Sequence, residues 1–388
     1  MTMASFQHIT PPLRLSYGPD SLSQVGKELA RLSASRAVVF CGPWARGPLL
    51  EALRSGMGER CAGVFEGVVA HSTVASVQAA AEELTRLEAD AVVALGGGSS
   101  IVTARAASIL AAEKREVREL CTTPDGKGGL KSPKLLAPKL PQLIVPTTPT
   151  TAMVKAGSAV FDPATGERLA LFDPKTRAQA IFVAPQMLLS APRQLVAAAS
   201  VNTFATAMEG LMSRSGEPLA DALLMHSVRL LGQHLPDTAR HDDPEVRGEL
   251  LLAAVLCGQG TDHTGAGITT VLGHAIGARY HLDNGLVNAI VMPHVLRFNA
   301  EAAAGLTKVA AALGMQHKRA EAALPGVLEA LRMIFTALGV ANRLRDVGVP
   351  REALPEIATS SMGDWFLRGN PRQVKDASEL QEILEQAW

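Results

Sequence analysis

Between residues 36 and 190 short apolar runs alternate with segments of helical spacing: RAVVFCG, PLLEALRSGM, SVQAAAEELTRLEA and DAVVALGGGSS follow one another. Apolar runs with no polar face read as strands buried on both sides, and their alternation with helices predicts a parallel sheet covered by helices. Past Pro192 the β-branched runs give way to alanine- and leucine-rich stretches such as QLVAAASVNTFATAMEGLMS and EVRGELLLAAVLCGQG. Their spacing predicts an all-helical second half. The expected organisation is α/β plus all-α: a Rossmann-like parallel-sheet domain over residues 1–190 and a helical domain over 191–388. The boundary falls at Leu188–Arg193, where a proline interrupts the helical pattern, and a cleft between the halves is the natural ligand site. Residues 122–141, dense in Gly, Pro and Lys, predict a surface loop.

Composition narrows the partners. At 388 residues, 47% hydrophobic and 19% charged, the chain can bury substantial cores, and 37 basic residues balance 37 acidic ones. No net field recruits nucleic acid or an anionic membrane, so a small-molecule substrate is expected. Cys41, Cys61, Cys121 and Cys257 lie far apart without a CxxC pair and read as free thiols. The N-terminus lacks a basic region followed by an apolar core, and no uninterrupted apolar stretch reaches bilayer length. The expected location is cytoplasmic.

Two kinds of chemistry stand out. The run from Ala91 to Leu95 reads as a buried strand and feeds Gly96, Gly97, Gly98 and Ser99 into a helical segment. Glycines let the backbone approach a phosphate, and a helix N-terminus supplies free N–H groups and positive dipole. The bland reading is a tight turn, because GGGS is not the GxGxxG fingerprint. The second is His274, set in the apolar segment ITTVLGHAIGARYHLDNGLVNAIVMPHVLRFN, where a lone histidine is more often packed core than catalyst. His263, Thr270 and His274 fall near one helical face at i, i+7 and i+11, with Asp262 beside His263. Lys155 and His281 read as solvated, and His294 as structural.

These segments resemble those of the iron-containing (group III) alcohol dehydrogenases, most closely the maleylacetate reductase branch. VVALGGGSSIVTARA is similar to that family's pyrophosphate-binding segment, with Thr103 and Arg105 at its helix start. LIVPTTPTTAMV is similar to the segment that wraps the ribose and nicotinamide, where Thr147 and Thr148 fit while Pro149, Thr151, Ala152 and Met153 depart. The resemblance implies a dehydroquinate synthase-like fold and cofactor contacts from Gly42, Pro43, Gly96, Gly97, Gly98, Ser99, Thr103, Thr147, Thr148 and Thr151. NAD(H) or NADP(H) is the implied cofactor. No carboxylate is evident near Gly42 to grip a ribose 2′-hydroxyl, and Arg46 offers a partner for a 2′-phosphate, although a solvated arginine is the plainer reading.

The family's four metal-ligand positions correspond here to Asn202, Thr206, Thr270 and Asn284. Neutral amide and hydroxyl oxygens bind iron or zinc poorly without anionic partners, so no metal is expected. His274 corresponds to the histidine beside the nicotinamide. The implied activity is metal-independent NAD(P)H-dependent reduction of a small activated carbonyl or enoate, with His274 as proton donor and the four altered positions as hydrogen-bond donors. Two alternatives keep the fold. One is a non-redox cyclase, dehydratase or lyase using His274 and His263 as acid and base; the other is a catalytically silent binding protein. The resemblance also implies a homodimer paired through the N-terminal strand.

Overall fold

The computed structural model describes residues 5–125, 130–317 and 319–388. Residue contacts divide the chain into two compact units, Pro11–Ala191 and Pro192–Trp388, and the described N-terminal residues through Thr10 go with the second. That last point differs from the 1–190 division expected from sequence.

The first unit runs β1 (Arg14–Tyr17), α1 (Val25–Arg31), β2 (Ala37–Phe40), α2 (Pro48–Met57), β3 (Cys61–Phe65), α3 (Val74–Arg86), β4 (Ala91–Gly96) and α4 (Gly98–Glu113). It continues through β5 (Thr123–Pro124), β6 (Leu130–Lys131), β7 (Gln142–Pro146), β8 (Gly157–Asp162), β9 (Glu167–Phe172), β10 (Ala178–Val183) and α5 (Pro185–Leu188). A six-stranded sheet in the order β1-β10-β7-β4-β2-β3 is parallel throughout. Every residue of β2, β4 and β7 is buried, as their uninterrupted apolar runs require.

Two features depart from strict alternation. β8 and β9 form an antiparallel hairpin, and β5 pairs with β6 inside the stretch read as a loop, of which residues 126–129 lie outside the described residues. The hairpin's β9 alternates exposed and buried residues, the mark of a one-sided strand rather than a doubly covered one.

The second unit is helical: α6 (Arg193–Met212), α7 (Pro218–His234), α8 (Pro244–Thr264), α9 (Ile268–Tyr280) and α10 (Asn284–Asn299), then α11 (Leu306–Ala312), α12 (Ala320–Ala337), α13 (Leu354–Ser361) and α14 (Ala377–Ala387). By length and composition α6 is apolar enough to cross a bilayer, with a mean hydropathy of 1.2, although Ser200, Asn202, Thr203, Thr206 and Glu209 interrupt its apolar residues. It packs against α7, α8, α9 and α10 with 67% of that window buried, which makes it the core helix of this unit. A second core joins α9 and α10 to α13 and α14 through Ile268, Leu272, Ile276, Val291, Leu354 and Leu380.

Candidate active site

In the sheet, β2 hands the chain to β3 on one side while β4 hands it to β7 on the other. Loops leaving adjacent strands in opposite directions open a crevice at their carboxyl ends, the usual ligand position in a parallel sheet. The expected cofactor residues gather there. Cys41, Gly42 and Pro43 follow β2, Gly96 to Ser99 join β4 to α4, and Thr147 and Thr148 follow β7. Thr147 N–H bonds to Gly96 O at 3.1 Å, which ties the third loop to the second.

The glycine turn is shaped for close approach. Gly96 has φ +139°, a conformation that favours glycine, and a Cβ on Gly97 would lie 2.6 Å from Thr148 Oγ1. Gly97 caps α4 without a side-chain hydrogen bond, so side chains leave the helix's first N–H groups uncapped. Gly97, Gly98 and Ser99 are partly exposed. Exposed, uncapped N–H groups on a glycine turn suit a pyrophosphate.

Three cofactor expectations change in detail. Thr103 is fully buried and donates its hydroxyl proton to Ser72 Oγ at 3.0 Å, and Ser72 in turn donates to Ser99 O at 3.0 Å. It supports the turn from behind. Thr151 is partly buried and opens a short 3-10 turn capped by the Thr150 hydroxyl, which accepts from Ala152 N. Arg105 is also fully buried, donating to Ala152 O at 2.6 Å and Gly157 O at 2.7 Å. Burial, with Arg177 adding to it, pushes its guanidinium down to about 9, which leaves it charged at neutral pH.

A carboxylate not evident from the sequence stands beside Arg46. Glu66, just past β3, forms a two-pronged pair with Arg46 at 2.9 and 2.8 Å. The Arg46 hydrogen bond holds the Glu66 carboxyl below its ordinary value. Burial, with Glu66 adding to it, pushes the Cys41 thiol up to about 11, so it is no nucleophile.

In the helical unit Asn202, Thr206, Thr270 and Asn284 lie on α6, α9 and α10. Thr206 donates to Asn202 O at 2.8 Å, and Thr270 donates to the Glu209 carboxylate at 2.6 Å. The Thr206 and Thr270 hydroxyl protons are therefore committed inside the protein, contrary to the expectation that they face a substrate. Asn288, which sequence reasoning missed, links the group. Its amide nitrogen donates to Asn202 Oδ1 at 2.9 Å. Asn284 stands partly exposed in the first turn of α10. Two amides and two committed hydroxyls are neutral donors, and this set does not fit iron.

Glu209, also missed, sets α9. Its carboxylate accepts from Gly267 N at 3.0 Å, Thr269 N at 2.5 Å and Thr270 N at 3.1 Å, besides the Thr270 hydroxyl. Burial pushes its carboxyl up, and those hydrogen bonds pull against the shift. His274, two turns along α9, has Nδ1 3.7 Å from Asp364 Oδ2 and its ring 5.9 Å from Phe366. Asp364 is held by accepting from Phe366 N at 2.9 Å. His263 has different neighbours, stacking on His8 with ring centroids 3.9 Å apart. His281 is exposed at the left-handed end of α9, and burial lowers the pKa of His294 on α10.

A parallel sheet with an open glycine turn at its switch point, in a chain that also carries an all-helical unit, defines a dinucleotide-binding enzyme scaffold. Known proteins make this specific. Residues 12–185 match the iron-containing alcohol dehydrogenases and residues 196–388 match the C-terminal part of the Fe-containing alcohol dehydrogenase family. The chain belongs to that family and is an NAD(P)-dependent oxidoreductase. It is 28% identical to the lactaldehyde reductase of Escherichia coli over 376 residues, 95% of this chain and 94% of the relative. It is equally 28% identical to the maleylacetate reductase of Sphingobium indicum over 373 residues, again 95% and 94%. The structure of a 1,3-propanediol oxidoreductase superposes with a TM-score of 0.90 at 21% identity, covering 99% of this chain and 100% of that one.

Proposed function

We propose that this enzyme reduces a small activated carbonyl or enoate with NADH or NADPH and without a metal at the family's usual position, in the manner suggested by its maleylacetate reductase relatives. The observation that carries the reading is the donor set itself: Asn202, Thr206, Thr270 and Asn284 are neutral, and two of their hydroxyl protons are held by Asn202 O and Glu209. Gly96, Gly97, Gly98 and Ser99 hold the pyrophosphate through backbone N–H groups, and the nicotinamide supplies the hydride when bound. Asn284 is the partly exposed amide available to a developing oxyanion, at a helix start whose cap residue Asp283 makes no side-chain capping bond. His274, steadied by Asp364, delivers the proton. Neutral donors suit a substrate that is already electron-poor. The exposed edge of β1 is the surface through which two copies pair.

The test is a titration with NADH and NADPH followed by tryptophan fluorescence, then turnover on ketones, keto acids and enoates by chelator-treated protein. Cofactor binding with undiminished turnover after chelation supports the reading. Failure to bind either cofactor at millimolar concentration overturns it, as does turnover that depends on added iron.

A further inference from the structure

We infer that His8, Glu217 and His263 form a second, separate site for a divalent transition metal, with zinc the ion their chemistry fits first. The three donors come from distant parts of the chain: the N-terminal segment, the residue capping α7, and the last turn of α8. One ligand atom from each lies within 4.8 Å of the others. His8 Nδ1 meets Glu217 Oε1 at 2.7 Å, and the His8 and His263 rings stack with 17° between their planes. Ligand atoms around tetrahedral zinc stand about 3.3 Å apart, so a turn of the two rings brings the set to coordination distance.

The donors suit the ion. Two imidazoles and one carboxylate are a known zinc set that leaves a fourth position for water. Glu217 is 7% exposed and His8 13%, so the ion would sit largely shielded, while the partly buried His263 leaves an entry side. Burial pushes the Glu217 carboxyl up, but His8 and the N–H groups of Leu219 and Ala220, at 2.8 and 2.7 Å, bring it below its ordinary value. None of the three residues belongs to the Asn202, Thr206, Thr270 and Asn284 group or to the Gly96–Ser99 turn. Bound metal would fasten the N-terminal segment to α7 and α8.

The experiment is calorimetric titration of chelator-stripped, dialysed protein with zinc chloride, paired with elemental analysis and hydrogen exchange of residues 5–10. The expected result is one zinc per chain and increased protection of the N-terminal segment. His8→Ala or His263→Ala should weaken binding by at least about 100-fold, while Asn202→Ala with Asn284→Ala should leave it unchanged. Circular dichroism of each variant confirms that it is folded. Absence of zinc binding by folded wild-type protein, or binding that survives His8→Ala combined with His263→Ala, overturns the site.

Discussion

Thr270 gives its hydroxyl proton to Glu209 at 2.6 Å, inside a ring of three backbone N–H donors that face the same carboxylate. Thr270 is thus part of a helix cap. Replacing Glu209 with glutamine puts an amide donor among donors. We expect Glu209→Gln to lower stability by about 2 kcal/mol in urea unfolding; an unchanged midpoint would show the cap to be dispensable.

Gly97→Ala introduces a Cβ 2.6 Å from Thr148 Oγ1 and pushes apart the two loops to which the proposed function assigns the cofactor. Binding of NADH should weaken by about tenfold or more, about 1.4 kcal/mol, with the melting temperature little changed. Fluorescence titration reads this directly, and wild-type affinity would remove Gly97 from the site.

The Arg46–Glu66 pair bears on cofactor choice. A carboxylate beside the ribose repels a 2′-phosphate, so the intact pair should favour NADH over NADPH. In Glu66→Gln the freed Arg46 should shift the ratio of affinities toward NADPH. A ratio unmoved by the substitution would place the adenosine elsewhere.

His274→Ala should lower kcat by about 100-fold with little change in cofactor affinity, and Asp364→Asn by a smaller factor. Stopped-flow measurement of NAD(P)H oxidation separates the two effects. Equal turnover in His274→Ala would leave proton delivery to solvent.

The pH dependence of stability tests Glu217. Its carboxyl lies lower in the folded chain than in the unfolded one, so the folded state binds fewer protons across that interval. The stabilisation is full above the unfolded value of about 4.3 and is lost as pH falls through the lowered folded value. In metal-free protein the gap in urea midpoint between wild type and Glu217→Gln should therefore close as pH is lowered through that window. A gap that widens there would contradict the sign.

How much of this was readable beforehand depended on sequence distance. β2 and β4 announced themselves as unbroken apolar runs, and the glycine turn between β4 and α4 was plain because strand, glycines and helix are contiguous. The Glu209 cap joins residues about 60 positions apart, with 60 separating it from Thr269. Nothing in the local sequence pairs them. Glu66 lies 20 residues from Arg46, and His8 lies 209 from Glu217. His263 drew attention for its helical phase with His274, yet its ring faces His8, since phase on one helix says nothing about what packs against it. The β8–β9 hairpin was not legible because β9 alternates exposed and buried residues and lacks the unbroken apolar run that marks β2 and β4.

Arg105 reaches from the middle of α4 to the carbonyls of Ala152 and Gly157. The helix that begins at the glycine turn and the segment that follows Thr148 are thereby stitched through one interior cation. A swing of either one alone over a bound dinucleotide would have to break hydrogen bonds made by a fully buried cation, which sets a cost against using this wall as a lid.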